Sequence, residues 1–362
     1  MIVQFSRRAV LSAARAVAVT AAVLGPLAVA AGPAMAQTKS EVAPPQVGAA
    51  SAAERPYRVF MILGRGETEV EQGFRDYFRD KGIALDITVR NIENDPANVP
   101  GFVAEAKRLR PDLVYTWGTP AALGTVGTYD AVDPAKHITD IPVVFTLVTA
   151  PVGAKVAPSW DSSGRNVTGA SHVVPLESQI NAMRAYRDFT KIAAIFNPKE
   201  RNSVLQIEGL RELSKERGFE LIESPVPLDA EGNPDASTLP ALVAQVAALK
   251  PQILYLGPDT FVAGVNREVV TQAAVQHGIP TFSATERPLR DAEALFGLVT
   301  RYYNLGRLTA YKAEQILVDK VHPRDIPIET LTRFTYIVKM DVARRLGLYP
   351  PMSVLSFAEI ID

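Results

Sequence analysis

From residue 57 onward the chain alternates strand and helix patterns, and this alternation constrains the fold more than any other feature. Residues 57–63 form a short apolar run that stops at Gly64, which reads as a buried strand. Thr68 and Glu71 have capping-box spacing, in which the two residues satisfy each other's backbone donors at a helix start. Val70, Phe74, Tyr77 and Phe78 then recur at helical spacing up to Gly82. Residues 84–89, 112–117 and 141–147 read as further strands, and 102–109 as a helix ending before Pro111. The pattern then starts again. Leu176, Ile180, Met183 and Tyr186 mark a helix, and 192–196 a strand ending at Asn197-Pro198. A second capping box at Ser203 and Gln206 opens a helix that runs to Gly218. Strands follow at 219–223, 252–256 and 280–283, with a helix at 239–249. Strands separated by helices of this length imply parallel sheets with right-handed crossovers.

The two halves resemble each other at matching points. Leu109-Arg110-Pro111-Asp112-Leu113-Val114-Tyr115 parallels Leu249-Lys250-Pro251-Gln252-Ile253-Leu254-Tyr255. Each is followed by a glycine, Gly118 or Gly257, and then by an Ile-Pro pair, Ile141-Pro142 or Ile279-Pro280. The expected fold class is therefore α/β, with two Rossmann-like parallel-sheet domains.

Ahead of this pattern, Arg7, Arg8 and Arg15 are the only charges before Lys39. An Ala/Val/Leu run follows at 16–31, broken by Gly25 and Pro26, and then Ala34-Met35-Ala36. This is the pattern of a cleavable signal peptide over residues 1–36, too short for a ~20-residue membrane span. Ser6-Arg7-Arg8-Ala9-Val10-Leu11 also resembles a twin-arginine export signal. Residues 37–56, rich in Ala, Pro, Ser and Gly, read as a flexible tether. The expected product is an exported, soluble protein. Loss of the three arginines would take the formal charge from −1 to −4. The near balance of 38 basic and 39 acidic residues argues against nucleic acid as a partner. With no cysteine, the chain has no disulfide, thiol nucleophile or Cys-ligated metal.

Ligands of open parallel sheets bind beyond the carboxyl ends of the strands, where helix N-termini also point. The residues at those ends are polar: Gly64 and Arg65, Gly118 and Thr119, Thr146 and Thr149, Asn197, Asp259 and Thr260, Ser283, Thr285 and Glu286. Asn202 and Ser203 belong with them unless capping alone explains them. Arg65 facing the cleft would pair with a carboxylate, and with Asp259 or Glu286 would suit a zwitterion. Trp117 could stack on a ligand or fill the core, and His172 reads as a hinge or surface residue. Enzyme signatures are missing: position 69 is Glu where a dinucleotide fingerprint needs its third glycine, and there is no phosphate loop, nucleophile elbow or zinc-helix motif. No catalytic residue, metal or cofactor is expected.

Several segments resemble the ABC-transporter substrate-binding proteins with the type I periplasmic binding fold, in the branch of the tryptophan/tyrosine-type binding proteins. Ile141 to Phe145 followed by Ala150-Pro151-Val152 resembles that family's strand and "DPV" segment, with Ala150 for Asp. Gly164-Arg165-Asn166-Val167-Thr168-Gly169 resembles its "GGNVTG" turn, with Arg165 for Gly. Asn197 to Ser203 resembles "NPxExNS", and Tyr303 to Arg307 a "DYxxLGR" helix start with Tyr302 in the Asp position. Ile326-Pro327 and Ala343 to Leu348 match its C-terminal pattern.

The resemblance implies a three-crossover hinge, near Ala170, between Thr285 and Leu298, and between Phe334 and Val338. It divides the chain into an N-terminal lobe, 57–170 plus 299–335, and a C-terminal lobe, 171–298 plus 336–362. It also implies ligand contacts from Gly64, Arg65, Gly118, Thr119, Thr146, Asn197, Asn202, Ser203, Asp259 and Ser283. The expected function is periplasmic capture of a small molecule, an amino acid or similar zwitterion, for an ABC permease of the inner membrane, by a monomer. The alternatives are a ligand-sensing ectodomain that partners a receptor and an exported two-Rossmann-domain enzyme such as a sugar transferase.

Overall fold

The structure, a computed structural model, describes residues 55–362. The expected signal peptide and all of the expected tether except Arg55 and Pro56 lie outside the described residues. Arg55 makes a bidentate pair with Asp112, both contacts at 2.7 Å, so the chain is anchored from its first described residue. Among the described residues no helix is long and apolar enough to cross a membrane.

Thirteen strands build two sheets among the described residues. The first contains β1 (Tyr57–Leu63), β2 (Leu85–Asn91), β3 (Leu113–Trp117), β4 (Val143–Thr146), β5 (Val167–Ser171) and, later in the chain, β11 (Glu329–Thr330). The second contains β6 (Lys191–Phe196), β7 (Glu220–Pro225), β8 (Ile253–Leu256), β9 (Thr281–Ser283), β10 (Phe296–Val299), β12 (Thr335–Lys339) and β13 (Glu359–Ile361). The sheet orders are β11-β5-β4-β3-β1-β2 and β13-β12-β10-β9-β8-β6-β7. Each core thus runs 2-1-3-4-5, and every pairing is parallel except β10 with β12. The order reverses between β1 and β3 and between β6 and β8. Neighbouring loops splay apart at these points and leave a crevice at the strands' carboxyl ends.

The helices cover both faces of each sheet. They are α1 (Glu69–Asp80), α2 (Val99–Leu109), α3 (Gly118–Val126), α4 (Leu176–Tyr186), α5 (Arg201–Arg217), α6 (Leu239–Ala248), α7 (Arg267–Gln276), α8 (Arg287–Arg290), α9 (Tyr302–Leu317), α10 (Met340–Leu346) and α11 (Met352–Leu355). The Thr68/Glu71 capping box forms. The Ser203/Gln206 box does not: α5 starts two residues earlier, and the Ser203 hydroxyl donates to Asp259 at 2.5 Å instead. The internal repeat is structural as well. Arg110 and Lys250, each preceding a proline, both take left-handed backbone, at φ +50° and +55°. The following proline disfavours the right-handed helical region, so both helices stop there.

The chain passes between the sheets three times, at 172–175, 300–301 and 331–334. The second passage falls after residue 299 because Phe296–Val299 is still paired with β9 and β12. Beyond it, α9 packs on α1 with almost no space between the backbones. A Cβ on Gly306 would lie 1.9 Å from the Val70 carbonyl oxygen, and one on Gly73 2.1 Å from that of Tyr303. Only glycine permits this approach. It locks the long helix that follows the hinge onto the first sheet's side.

Candidate functional site

The two switch points face each other across a small polar cavity of about 50 Å³. The first sheet contributes Arg65 from the β1–α1 loop, Trp117 at the end of β3, Gly118 and Thr119 opening α3, and Thr149 beyond β4. The second contributes Glu200 and Asn202 at the start of α5, Asp259 and Thr260 after β8, and Thr285 after β9. His172 and Tyr302, both beside passages between the sheets, complete the wall.

Gly64 lies beneath this site. A Cβ there would sit 2.6 Å from the Trp117 ring, so glycine lets the indole lie flat against β1. The Arg65 guanidinium in turn lies 4.7 Å from the centre of the indole, within cation–π range. No carboxylate among the described residues pairs with Arg65, and its Nε is buried without a partner. Burial pulls its pKa down, but a guanidinium stays charged across the ordinary pH range.

Three further buried polar atoms on the same cavity also lack partners among the described residues: Trp117 Nε1, His172 Nδ1 and Asn202 Oδ1. The Asn202 amide nitrogen donates to Glu200 at 2.9 Å and to the Pro258 carbonyl at 2.7 Å. Both are acceptors, so the amide orientation is fixed and its oxygen is the free atom. Burial and the Arg65 charge push the His172 pKa down to about 3, so its imidazole is neutral. The cavity therefore offers two certain donors on the first-sheet side and one certain acceptor on the second.

That second side is acidic. Glu200 accepts from the Thr260 backbone at 2.8 Å and its hydroxyl at 2.6 Å. Asp259 accepts from the Asn197 and Val262 backbones at 2.6 Å each and from Ser203. Burial and then Asp259 raise the Glu200 carboxyl to about 7. Burial likewise raises Asp259, against its several hydrogen bonds. The Asp259 charge disfavours ionisation of Glu200, so the pair carries one negative charge more readily than two.

Of the residues expected at strand ends, Arg65, Gly118, Thr119, Thr149, Asn202, Asp259, Thr260 and Thr285 line this cavity. The others do not. The Thr146 hydroxyl is buried against Thr309 at 3.1 Å. Ser283 closes a turn onto Thr285, and Ser203 supports Asp259. Asn197 lines an adjoining outer chamber rather than the cavity. Glu286 turns away to Arg290 and Arg301 and accepts from the Tyr302 backbone at 2.9 Å, so it caps α9. Arg165, in the position where a glycine is usual, donates to the carbonyls of Val126, Gly127 and Val156 and pins two loops together.

Glu200, Tyr302 and Arg287 line the cavity without having been singled out from sequence as ligand contacts. Trp117, read from sequence as stacking on a ligand or filling the core, and His172, read as a hinge or surface residue, both line the cavity. Among the described residues no group of three His, Asp or Glu side chains is placed to hold a metal ion.

Comparison with known proteins agrees with this architecture. A tyrosine-binding protein of Clostridioides difficile is 25% identical over 288 residues, 77% of each chain. The crystal structure of a conserved domain protein from Vibrio cholerae superposes with a TM-score of 0.74 at 23% identity, covering 85% of this chain and all of that one. An ABC domain from Streptococcus pneumonia in complex with L-Trp gives 0.71 at 21% identity, covering 84% and 100%. Residues 59–361 match the family model described as ABC transporter substrate binding protein. The chain belongs to the ABC transporter substrate-binding protein family.

Proposed function

We propose that this chain is the solute-capturing component of an ABC import system, exported to the periplasm by its N-terminal signal, and that it takes an amino acid or similar zwitterion into the cleft between its two sheets. In this reading each sheet moves with its own helices as a lobe, 57–171 with 302–330 against 176–299 with 335–362, about the three passages. The solute's carboxylate meets Arg65 and the Trp117 indole N–H. Its ammonium meets the Asn202 oxygen beside Glu200 and Asp259. The closed form then docks the inner-membrane permease. A solute can favour that form only through its better affinity for closed over open lobes.

The observation that carries the reading is the convergence of four buried, unpartnered polar atoms on one cavity. Buried polar groups without partners cost about 1–3 kcal/mol each, and a solute with matching donors and acceptors removes that penalty. The tyrosine-binding relative and the L-Trp complex make L-Tyr and L-Trp the first solutes to try. Isothermal titration of the refolded, solute-free protein against an amino-acid panel is expected to find micromolar binding, which needs only ~8 kcal/mol. Flat titrations across the panel would refute the zwitterion assignment.

A further inference from the structure

The polar cavity is too small for a whole solute. By the same measure a single water needs roughly 10–15 Å³, so about 50 Å³ holds a charged head group and little else. Beside it lies a second chamber of about 490 Å³. This falls in the ~300–1,000 Å³ range of sites that enclose drug-sized ligands. The two spaces share Thr119, Pro120, Glu200, Asn202 and Thr260. The outer chamber does not reach Arg65, Trp117 or His172.

This asymmetry fixes a direction. The carboxylate end of a bound solute is enclosed at Arg65, whereas the end beside Asn202 and Glu200 opens into the chamber. There the apolar lining comes from Pro96, Leu123, Phe261 and Val265. The free oxygen of Asn202 stands at the junction, and a single neutral acceptor suits an amide N–H as well as an ammonium. Lys199 and Arg201 are exposed at the rim. The one acid there outside the junction is Asp95, which also accepts from the Ala97 backbone, so two cations stand against one carboxylate at the rim.

We propose that the natural solute is a short peptide of two or three residues, bound with its free C-terminal carboxylate in the inner cavity and the rest of it, the C-terminal side chain included, in the outer chamber. This deepens the zwitterion reading and rests on it. The basic rim favours an acidic residue in the N-terminal part.

The test is calorimetric titration of the solute-free protein with L-Tyr, Ala-Tyr, Glu-Tyr, Lys-Tyr and Ala-Tyr amide, repeated on V265W and L123W, which fill the chamber from opposite sides. The expected result is at least tenfold tighter binding of Ala-Tyr than of L-Tyr, with Glu-Tyr above Lys-Tyr and no binding of the amide. In both tryptophan variants the preference for Ala-Tyr over L-Tyr falls to near one. L-Tyr binding as well as or better than the dipeptides overturns the peptide assignment and leaves the zwitterion reading standing. A tenfold preference unchanged in both folded variants overturns the chamber's role. Absence of binding by all five compounds overturns the peptide assignment, and the amino-acid panel then decides the zwitterion reading separately.

Discussion

Arg65 is a partly buried cation with no counter-ion among the described residues, so its removal should move stability and binding in opposite directions. Consider R65M. Methionine keeps the aliphatic stem but brings neither the charge nor the guanidinium that lies over the Trp117 ring. An ion taken out of water without a counter-ion loses several kcal/mol of solvation. Here the loss is smaller, because the guanidinium is only partly buried and open to the cavity. The stacking on Trp117 at 4.7 Å returns about 0.5–1 kcal/mol. The balance is a solute-free R65M protein more stable than wild type by about 1 kcal/mol, a rise in Tm of about 2–4 °C for lobes of this size. Binding goes the other way. Two charge-assisted hydrogen bonds to a carboxylate contribute about 1.5–3 kcal/mol each, so affinity falls by about 10²–10³-fold or more. Thermal unfolding of the refolded, solute-free proteins and calorimetric titration measure the two effects separately. An R65M protein that melts below wild type, or that keeps its affinity within threefold, refutes the account of Arg65 as an unneutralised anchor.

Two further outcomes follow from other parts of the molecule. G306A places a Cβ 1.9 Å from the Val70 carbonyl, so α9 must shift off α1. The variant should lose about 3 kcal/mol or more in chemical unfolding, and an unchanged midpoint would count against the close packing. Glu200 has a raised carboxyl, near 7 against an ordinary 4.5, from burial and from Asp259. The folded state therefore holds this proton more tightly than the unfolded chain. The resulting stability is full below about pH 4.5 and is lost as pH rises toward 7. In E200Q the solute-free Tm should fall less steeply over that window than in wild type, and identical slopes would refute the assignment.

Much of this protein can be read from local pattern. The strand–helix alternation, the Thr68/Glu71 box and the repeated Leu-Arg/Lys-Pro turns depend on residues close in sequence, so their physics is visible there. Helix α3 is not, because Gly118, Thr119, Pro120 and Gly124 dilute its helical signal. Strand ends also pointed toward Arg65 and Asp259, which line one cavity, since the carboxyl edge of a parallel sheet is where loops are free to meet a ligand.

The choice among those polar residues was made by the tertiary structure. Ser203 and Asn202 are neighbours, yet one hydroxyl is spent on Asp259 while the other side chain leaves its oxygen facing the cavity. Glu286 is drawn away by Arg290 and Arg301. Trp117 and His172 become cavity walls because of what packs behind them. Local sequence determined which elements form and which edge of each sheet is polar. Whether a given polar atom is satisfied depends also on partners far along the chain, 56 residues for Ser203 and Asp259 and 163 for Thr146 and Thr309, and that long-range pairing decided which atoms on the cavity remain unpartnered.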